Sequence, residues 1–506
     1  MDRIVGIAEL AGMVPDGALV APGGFDLNRA PIALLREVVR RGRRGLRVVS
    51  PPNPLAHDLL VGSGAAASIE FAYLGFQYEG GFVTAPQVRR AIESGAIEWR
   101  ERDAFVILQA LRASAQGVPA LPEPGATSRD GGGAAMVAAL RPDLALLHAQ
   151  AADRDGNLFI IDPCGDDLLA HASGQVLATA ERIVDRLDAV TVPARRVAAV
   201  ARAAGGAFPT SCIGYYPWSA PHIRDWVEAA AEGRFMEYLE KLEAPGRPGP
   251  APADGGEMLA EASRSAAADH IVVAMARLVR DGEVVLTGVA SALPVLAVAL
   301  ARATHAPRAT HVTAAGAVNP RLGDGAPAPL SSVDPRLLQR CESRLVLTDI
   351  LDLARQGRVD TMFFGAAQID AGARLNLTCI GDPRRPRVKL PGPAGSATVR
   401  RLVRRVIVVA PRHTPRTFVG EVDYATSAPA AANRETWVVS DLAVLRLVDG
   451  RLALAARRGG IPVEAVRGAT GFDLHGDGEA VEPAPTAAEQ AALERIDPAG
   501  ARYRLV

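Results

Sequence analysis

Two carboxylates carry the most direct chemistry in this chain. Glu101 closes the segment Gly95-Ala96-Ile97-Glu98-Trp99-Arg100-Glu101, and Glu79 sits in Phe76-Gln77-Tyr78-Glu79-Gly80-Gly81, beside apolar residues. Burial disfavours the ionised form of a carboxyl group and raises its pKa toward the range that suits a general base. The competing reading is a solvated or helix-capping Glu. Among the imidazoles, His148 ends a predicted buried strand, and His305 and His311 flank the strand before Ala314. A strand-end His can give or take a proton, though such positions are more often structural. His413, in Arg412-His413-Thr414-Pro415-Arg416, reads as part of a basic surface that could meet phosphates through Arg412 or Arg416. Ser291, Ser211 and Cys212 are candidate nucleophiles. No G-x-S-x-G and no Ser/His/Asp arrangement accompanies them, so a general base ranks ahead.

Small-residue turns supply a second kind of chemistry. Gly23-Gly24 and Gly288-Val289-Ala290-Ser291 each follow a β-branched or aliphatic run and precede a helical stretch. Such a turn lets backbone N–H groups approach a ligand, and the following helix N-terminus favours developing negative charge, as on an oxyanion. The alternative is a tight strand-to-helix turn with no ligand. Gly365-Ala366-Ala367-Gln368 is a further small-residue loop with room for an extended ligand arm, where Gln368 could hydrogen-bond an amide.

The elements that must position these groups alternate. Ala18–Pro22, Leu46–Ser50, Leu144–Ala149 and Val284–Gly288 read as strands, and Ile32–Arg41 and Val295–Ala303 as helices. That alternation predicts parallel α/β sheets. Residues 244–256 form a Pro/Gly-rich stretch without periodicity, a semi-rigid linker. It separates 1–243 from 257–506, and both halves open with strand, turn and helix, which suggests two related domains. Leu121–Gly133 reads as a mobile surface loop, and Gly476–Ala487 as irregular chain before a short final helix.

Composition narrows the function classes. The chain has 506 residues, 49% hydrophobic and 22% charged, with formal net charge zero. That fits a multi-domain globular protein and argues against a broad nucleic-acid-binding face. Cys164, Cys212, Cys341 and Cys379 are widely spaced, without metal-ligand spacing, so neither a disulfide framework nor a metal site is expected. The N-terminus lacks a signal-peptide core, and no apolar run approaches the roughly 18 residues of a membrane span. A bacterial, cytoplasmic protein with reduced thiols is expected; a homo-oligomer is left open.

Ordered motifs along nearly the whole chain resemble the glutaconate-type, family I CoA-transferases, which are built from two kinds of subunit. The N-terminal half is similar to the A-type chain through Gly23-Gly24-Phe25, Arg29-Ala30-Pro31, Asp58–Gly64, Gly95–Glu101, Gly117–Pro122 and Arg141–Gln150. The C-terminal half is similar to the B-type chain through Gly288–Pro294, Leu300–Pro307, Phe364–Asp370, Val438–Val444 and Thr470-Gly471-Phe472. The resemblance implies a fused pair of open parallel-sheet, CoA-transferase-like α/β domains acting on an acyl-CoA, with no cofactor beyond coenzyme A itself. It also implies roles: Gly23, Gly24, Gly288 and Ser291 at an oxyanion, Gly365, Ala366, Gln368, Arg412 and Arg416 toward CoA. In that family a Glu on the strand end corresponding to Thr313–Val318 carries the acyl group and then CoA. Here the position is Ala314, and a methyl group is no nucleophile. Asn376–Asp382 with Arg385-Pro386 resembles the steroid ring-opening CoA hydrolases, which cleave a C–C bond in a cyclic β-keto acyl-CoA. Two features depart from that branch: Ala104 stands where an acid is expected, and Pro391–Gly395 is poorer in glycine. Hydrolysis or hydrolytic C–C cleavage of an acyl-CoA is the expected activity; CoA transfer between carboxylic acids and non-catalytic acyl-CoA binding are the alternatives.

Overall fold

The computed structural model describes residues 3–78, 81–127, 134–243, 262–323 and 328–506. The 244–256 linker and Glu79 lie outside the described residues. The chain forms two compact units. Unit 1 comprises Met1–Ala251 with Val346–Thr348 and Arg384–Ala394, and unit 2 comprises Pro252–Leu345, Asp349–Pro383 and Gly395–Val506. Two short pieces of the C-terminal half therefore pack with the N-terminal half, a feature absent from the linear reading.

Unit 1 is built on a nine-stranded sheet: β1 (Ile4–Val5), β2 (Leu19–Pro22), β3 (Leu46–Val49), β4 (Ala66–Phe71), β5 (Glu98–Glu101), β6 (Leu144–Asp153), β7 (Leu158–Phe159), β8 (Gln175–Val184) and β9 (Val197–Arg202). The order is β1-β9-β8-β6-β2-β3-β4-β5, parallel throughout, with β7 antiparallel on β6. All ten residues of β6 are buried, as befits a central strand covered on both faces. The helices α1 (Ile32–Arg40), α2 (Pro54–Gly62), α3 (Pro86–Ser94) and α4 (Ala104–Ala115) follow successive strands. On α1 the buried positions Ile32, Leu34, Leu35 and Val38 share one face, and they join Val20, Val48 and Leu146 in the core. Helix α5 (Ala220–Ala231) adds the buried Trp226.

Unit 2 carries a ten-stranded mixed sheet: β10 (Val284–Thr287), β11 (Thr310–Thr313), β12 (Ala317–Val318), β13 (Ser343–Arg344), β14 (Thr361–Gly365), β15 (Arg405–Ala410), β16 (Glu435–Ser440), β17 (Ala443–Val448), β18 (Arg451–Arg458) and β19 (Val481–Glu482). The centre, β11-β10-β14-β15-β16, is parallel; antiparallel pairs add β12 and β13 at one edge and β17 and β18 at the other, where β19 then pairs parallel with β18. Helix α6 (Ala292–Ala303) returns from β10 with Leu293, Leu296, Ala297 and Leu300 in the core.

Two local expectations are corrected. The first part of the expected Leu121–Gly133 loop belongs to a strand, Ala120–Thr127, paired antiparallel with Ala134–Ala138; it is tied to α4 by the Gln109 side chain, which donates to the Pro122 carbonyl at 2.9 Å. Residues 128–133 lie outside the described residues. His148 does not end its strand, because β6 continues to Asp153 in register with β8.

Candidate functional site

In unit 1 the register sets Gly23, Ser50 and Glu101 where the chain leaves the carboxyl ends of β2, β3 and β5, the edge at which open α/β sheets hold ligands. Glu101 is the last residue of β5, and Asp103 caps α4 immediately after it by accepting the Phe105 N–H at 2.9 Å. The Glu101 side chain is 10% exposed and pairs with Lys389, which is 0% exposed. Sequence reasoning found the acid and missed the lysine, which stands 288 positions away.

The glycines of the first turn are engaged within the chain. Gly23 N–H donates to the Leu146 carbonyl at 2.8 Å and Gly24 N–H to Asp166 Oδ1 at 2.8 Å. Gly24 has φ +81, and a Cβ there would lie 2.5 Å from the Arg29 carbonyl oxygen. Both N–H groups expected to face an oxyanion thus hold the turn against its neighbours. The turn encloses Arg29, fully buried, which pairs with Asp166 and with Asp162 at 3.2 Å and donates to the His148 carbonyl at 2.9 Å. Burial works against the guanidinium charge, but Asp166 and Asp162 outweigh it and hold its pKa above the ordinary value. Asp26, Arg29 and Cys164 all take positive φ in this region, the kind of backbone strain that surrounding structure must impose.

Behind the turn lies a second buried cluster. His148 Nε2 meets Glu181 Oε1 at 2.8 Å and Nδ1 meets Thr179 Oγ1 at 2.8 Å; Glu181 also accepts from Tyr216 Oη at 2.5 Å and from Gly205 N–H at 2.8 Å. Burial lowers the His148 pKa; burial also pushes the Glu181 carboxyl up, but His148, Tyr216 and Gly205 outweigh it and hold that carboxyl below the usual range. Among the described residues, His148, Glu181 and Cys212 form the group that could hold a cation, with ligand atoms within 4.8 Å of one another. The His148–Glu181 hydrogen bond joins the two donors a metal would have to separate, and burial pushes the Cys212 thiol up, so the cluster is satisfied as it stands. Cys212 and Ser211 are both buried, and the Ser211 hydroxyl donates to Asn28 Oδ1 at 2.8 Å, which leaves both poor nucleophiles.

In unit 2 the register aligns Thr287 with Thr313 and Phe363, Gly365 with Val409, and Ala410 with Ser440. Gly288, Ala314, Ala366 and the segment before Arg412 therefore emerge along one carboxyl edge. Gly288 is fixed by the Ser332 hydroxyl, which donates to its carbonyl, and Ala290 takes φ 60. Ser291 precedes α6, whose first turn has no acidic residue, so the positive end of the helix dipole is unopposed there. Ala314 is half-buried and directly follows β11; Gly316, at φ +93, is the residue that lets the chain turn beneath the Leu345 carbonyl. His311, on β11, is buried and accepts from or donates to Thr287 Oγ1 at 3.0 Å; burial, aided by Arg302, lowers it to about 3. His305 is exposed on the far side of α6 from this edge, with Nε2 3.0 Å from the Val279 carbonyl. Gly365 is exposed, and a Cβ there would meet nothing.

Two expected ligand contacts in unit 2 turn inward. Gln368 is buried, donates to Asp423 Oδ2 at 2.6 Å, and accepts from Asn376 Nδ2 at 2.7 Å and Asp423 N–H at 3.0 Å. These bonds tie Gln368 to the Asn376–Asp382 segment, where Asp423 also accepts the Gly381 N–H at 3.0 Å. His413 is buried rather than part of a basic surface; it stacks on Phe418 with centroids 3.7 Å apart, meets Ser440 Oγ at 2.8 Å and Thr470 Oγ1 at 3.0 Å, and burial lowers it to about 4. Arg412 and Arg416 on either side of it are exposed. No helix among the described residues is long and apolar enough to cross a membrane.

A family model described as coenzyme A transferase matches residues 6–202 and 268–469. One of the two kinds of chain in a 3-oxoadipate CoA-transferase from Pseudomonas knackmussii is 31% identical over 269 residues, 45% of this chain and 94% of that protein. A cholesterol ring-cleaving hydrolase IpdA subunit from Mycobacterium tuberculosis is 27% identical over 262 residues, 46% of this chain and 89% of that protein. Among solved structures, the apoenzyme of an acyl-CoA transferase (YdiF) from Escherichia coli O157:H7 aligns with TM-score 0.71 at 15% identity, over 96% of this chain and 97% of its own, a likeness of fold.

Proposed function

Because the chain belongs to the coenzyme A transferase family, we propose that it cleaves an acyl-CoA hydrolytically, opening a cyclic β-keto acyl-CoA at the bond between the ring ketone and the α-carbon. The observation that carries this reading is Ala314. It directly follows a central parallel strand, at the sheet edge where a ligand would bind, and offers no carboxylate to take up an acyl group or CoA. The likeness to a ring-cleaving hydrolase subunit supports the same reading.

In the proposed step Glu101 takes a proton from water, and the resulting hydroxide adds to the ring ketone. The bond from that carbon to the α-carbon breaks, and its electron pair moves onto the thioester as an enolate. The enolate recovers a proton at the α-carbon. The product is an open-chain carboxylate still joined to CoA, so no free CoA is released and no group remains on the protein. The thioester supplies the electron sink; the protein supplies a base and N–H donors for the developing oxyanion.

The test uses 2-oxocyclohexane-1-carboxyl-CoA in ¹⁸O-water. The reading expects heptanedioyl-CoA with one ¹⁸O in the new carboxylate, and a loss of roughly 10²–10⁴-fold in rate for Glu101→Gln. Free CoA with the intact β-keto acid would instead mean simple thioester hydrolysis. Turnover that requires an added carboxylic acid would mean transfer, the reading favoured by the 3-oxoadipate CoA-transferase likeness, with a carboxylate other than position 314 as carrier.

A further inference from the structure

Lys389 reaches Glu101 from the C-terminal half of the chain, yet both belong to unit 1. Its side chain is wholly buried, and Nζ donates to Glu101 Oε2 and, at 2.9 Å, to the Leu390 carbonyl. The ammonium stands 5.3 Å from the centroid of Phe71 and 5.5 Å from that of Trp99, two rings stacked at 6.1 Å. The backbone around it is pinned at several points. Lys389 N–H donates to Glu93 Oε1 at 2.8 Å, Leu74 N–H to the Pro391 carbonyl at 2.7 Å, and Ala394 N–H to the Ala72 carbonyl at 3.0 Å. Gly392 has φ +100, and a Cβ there would lie 2.8 Å from the Ala72 carbonyl oxygen and 3.2 Å from Glu101 Oε2, so only glycine lets this strap close on the carboxylate.

Composition adds an independent observation. The chain has 56 basic residues but only two lysines, Lys241 and Lys389, and hence 54 arginines (56 − 2). In a sequence that otherwise uses Arg for its positive charge, the fully buried cation beside the candidate base is a Lys. A compact ammonium fits over the two ring faces and against the Glu101 carboxylate, where a planar five-donor fork demands more partners. Stability gives little reason for it, since a buried ion pair contributes about as much as a well-packed apolar pair of the same volume, or less. Orientation does give a reason: a base displaced by about 1 Å costs on the order of 10²-fold in rate.

We infer that Lys389 is the positioning residue of Glu101, delivered by the strap of residues 389–394 so that the carboxylate is aimed for proton transfer. The inference rests on the reading of Glu101 as the base. Lys389→Met preserves volume and removes the charge, and Lys389→Ala leaves a slot for an added amine. With 2-oxocyclohexane-1-carboxyl-CoA as probe, Lys389→Met should lose about 10²-fold in kcat with KM within about threefold. Lys389→Ala should regain at least about tenfold with propylammonium but not with propanol, and adding Glu101→Gln to either variant should cost little more. A crystal structure of Lys389→Met, which needs no substrate, should show the Glu101 carboxylate moved from its native place. Wild-type kcat in Lys389→Met, equal recovery with propanol, or an unmoved Glu101 would overturn the inference. Full activity of Glu101→Gln removes the base reading instead, and the crystal structure still reports whether Lys389 places that carboxylate.

Discussion

Asp58→Ala tests how the scaffold around Glu101 is held. Asp58 lies on α2, fully buried. Its Oδ1 accepts the N–H groups of Gln87 at 2.7 Å and Val88 at 3.0 Å, in the first turn of α3, and its Oδ2 accepts Trp226 Nε1 at 2.8 Å from α5. Helix α3 in turn carries Glu93, which holds the backbone of Lys389. Removing the carboxyl takes away the acceptor that caps the Gln87 and Val88 N–H groups, about 1 kcal/mol, and leaves the Trp226 N–H buried without a partner, about 1–3 kcal/mol. Burial opposes this by pushing the Asp58 carboxyl up to about 6 from 3.8, despite the pull of its three N–H donors. A folded pKa above the unfolded one means that the folded state binds the proton more tightly. The stabilisation is therefore present below pH 3.8 and lost as pH rises through about 6, a swing of about 3 kcal/mol for roughly two pKa units. The variant lacks this swing. Its cost should be about 3 kcal/mol near pH 4.5 and fall to about 1 kcal/mol or less at pH 7.5. Urea unfolding followed by tryptophan fluorescence at the two pH values measures it, since Trp99, Trp218 and Trp226 all report on unit 1. An equal or larger cost at pH 7.5 would refute the reasoning, because it would mean that the N–H donors, not burial, set the protonation of Asp58.

Three further outcomes are expected. His270, His311 and His413 are buried and lowered to about 4, 3 and 4. The unfolded chain takes up these protons first, so stability should fall as pH drops from about 6.5 toward 4, and His413→Gln should flatten that slope in a thermal-melt series. Gly24→Ala meets the Arg29 carbonyl in a left-handed backbone and should cost several kcal/mol, read as lost soluble yield or a lowered urea midpoint. Ala314→Glu places a carboxylate just after the end of β11, and should produce a hydroxylamine-sensitive acyl adduct in intact mass that the wild type lacks.

Much of the fold was legible because its signals are local. The strands at Leu19–Pro22, Leu46–Val49 and Val284–Thr287 and the helices at Ile32–Arg40 and Ala292–Ala303 carry their own periodicity and Gly punctuation. The places of Glu101 at the end of β5 and of the small-residue turn after β10 were readable in the same way. What escaped depends on long-range pairing. Nothing near Lys389 in the sequence points to Glu101, although the scarcity of lysine was a signal. Gln368 and His413 looked ligand-facing because polar residues in loops usually are, but their partners, Asp423 and Asn376 for one, Ser440 and Thr470 for the other, are supplied by other segments. Gly23 and Gly24 had the composition of an anion-binding turn, and only the Asp166 carboxylate, 142 positions from Gly24, shows where its N–H goes.

The central claim is acyl-CoA cleavage without a covalent carrier, and intact-protein mass spectrometry tests it most directly. The wild-type chain is mixed with excess 2-oxocyclohexane-1-carboxyl-CoA, quenched during turnover, and weighed with and without prior borohydride. The account predicts an unchanged protein mass while ring-opened acyl-CoA accumulates. A protein mass increased by an acyl group or by CoA, discharged by hydroxylamine and formed at a competent rate, would contradict it.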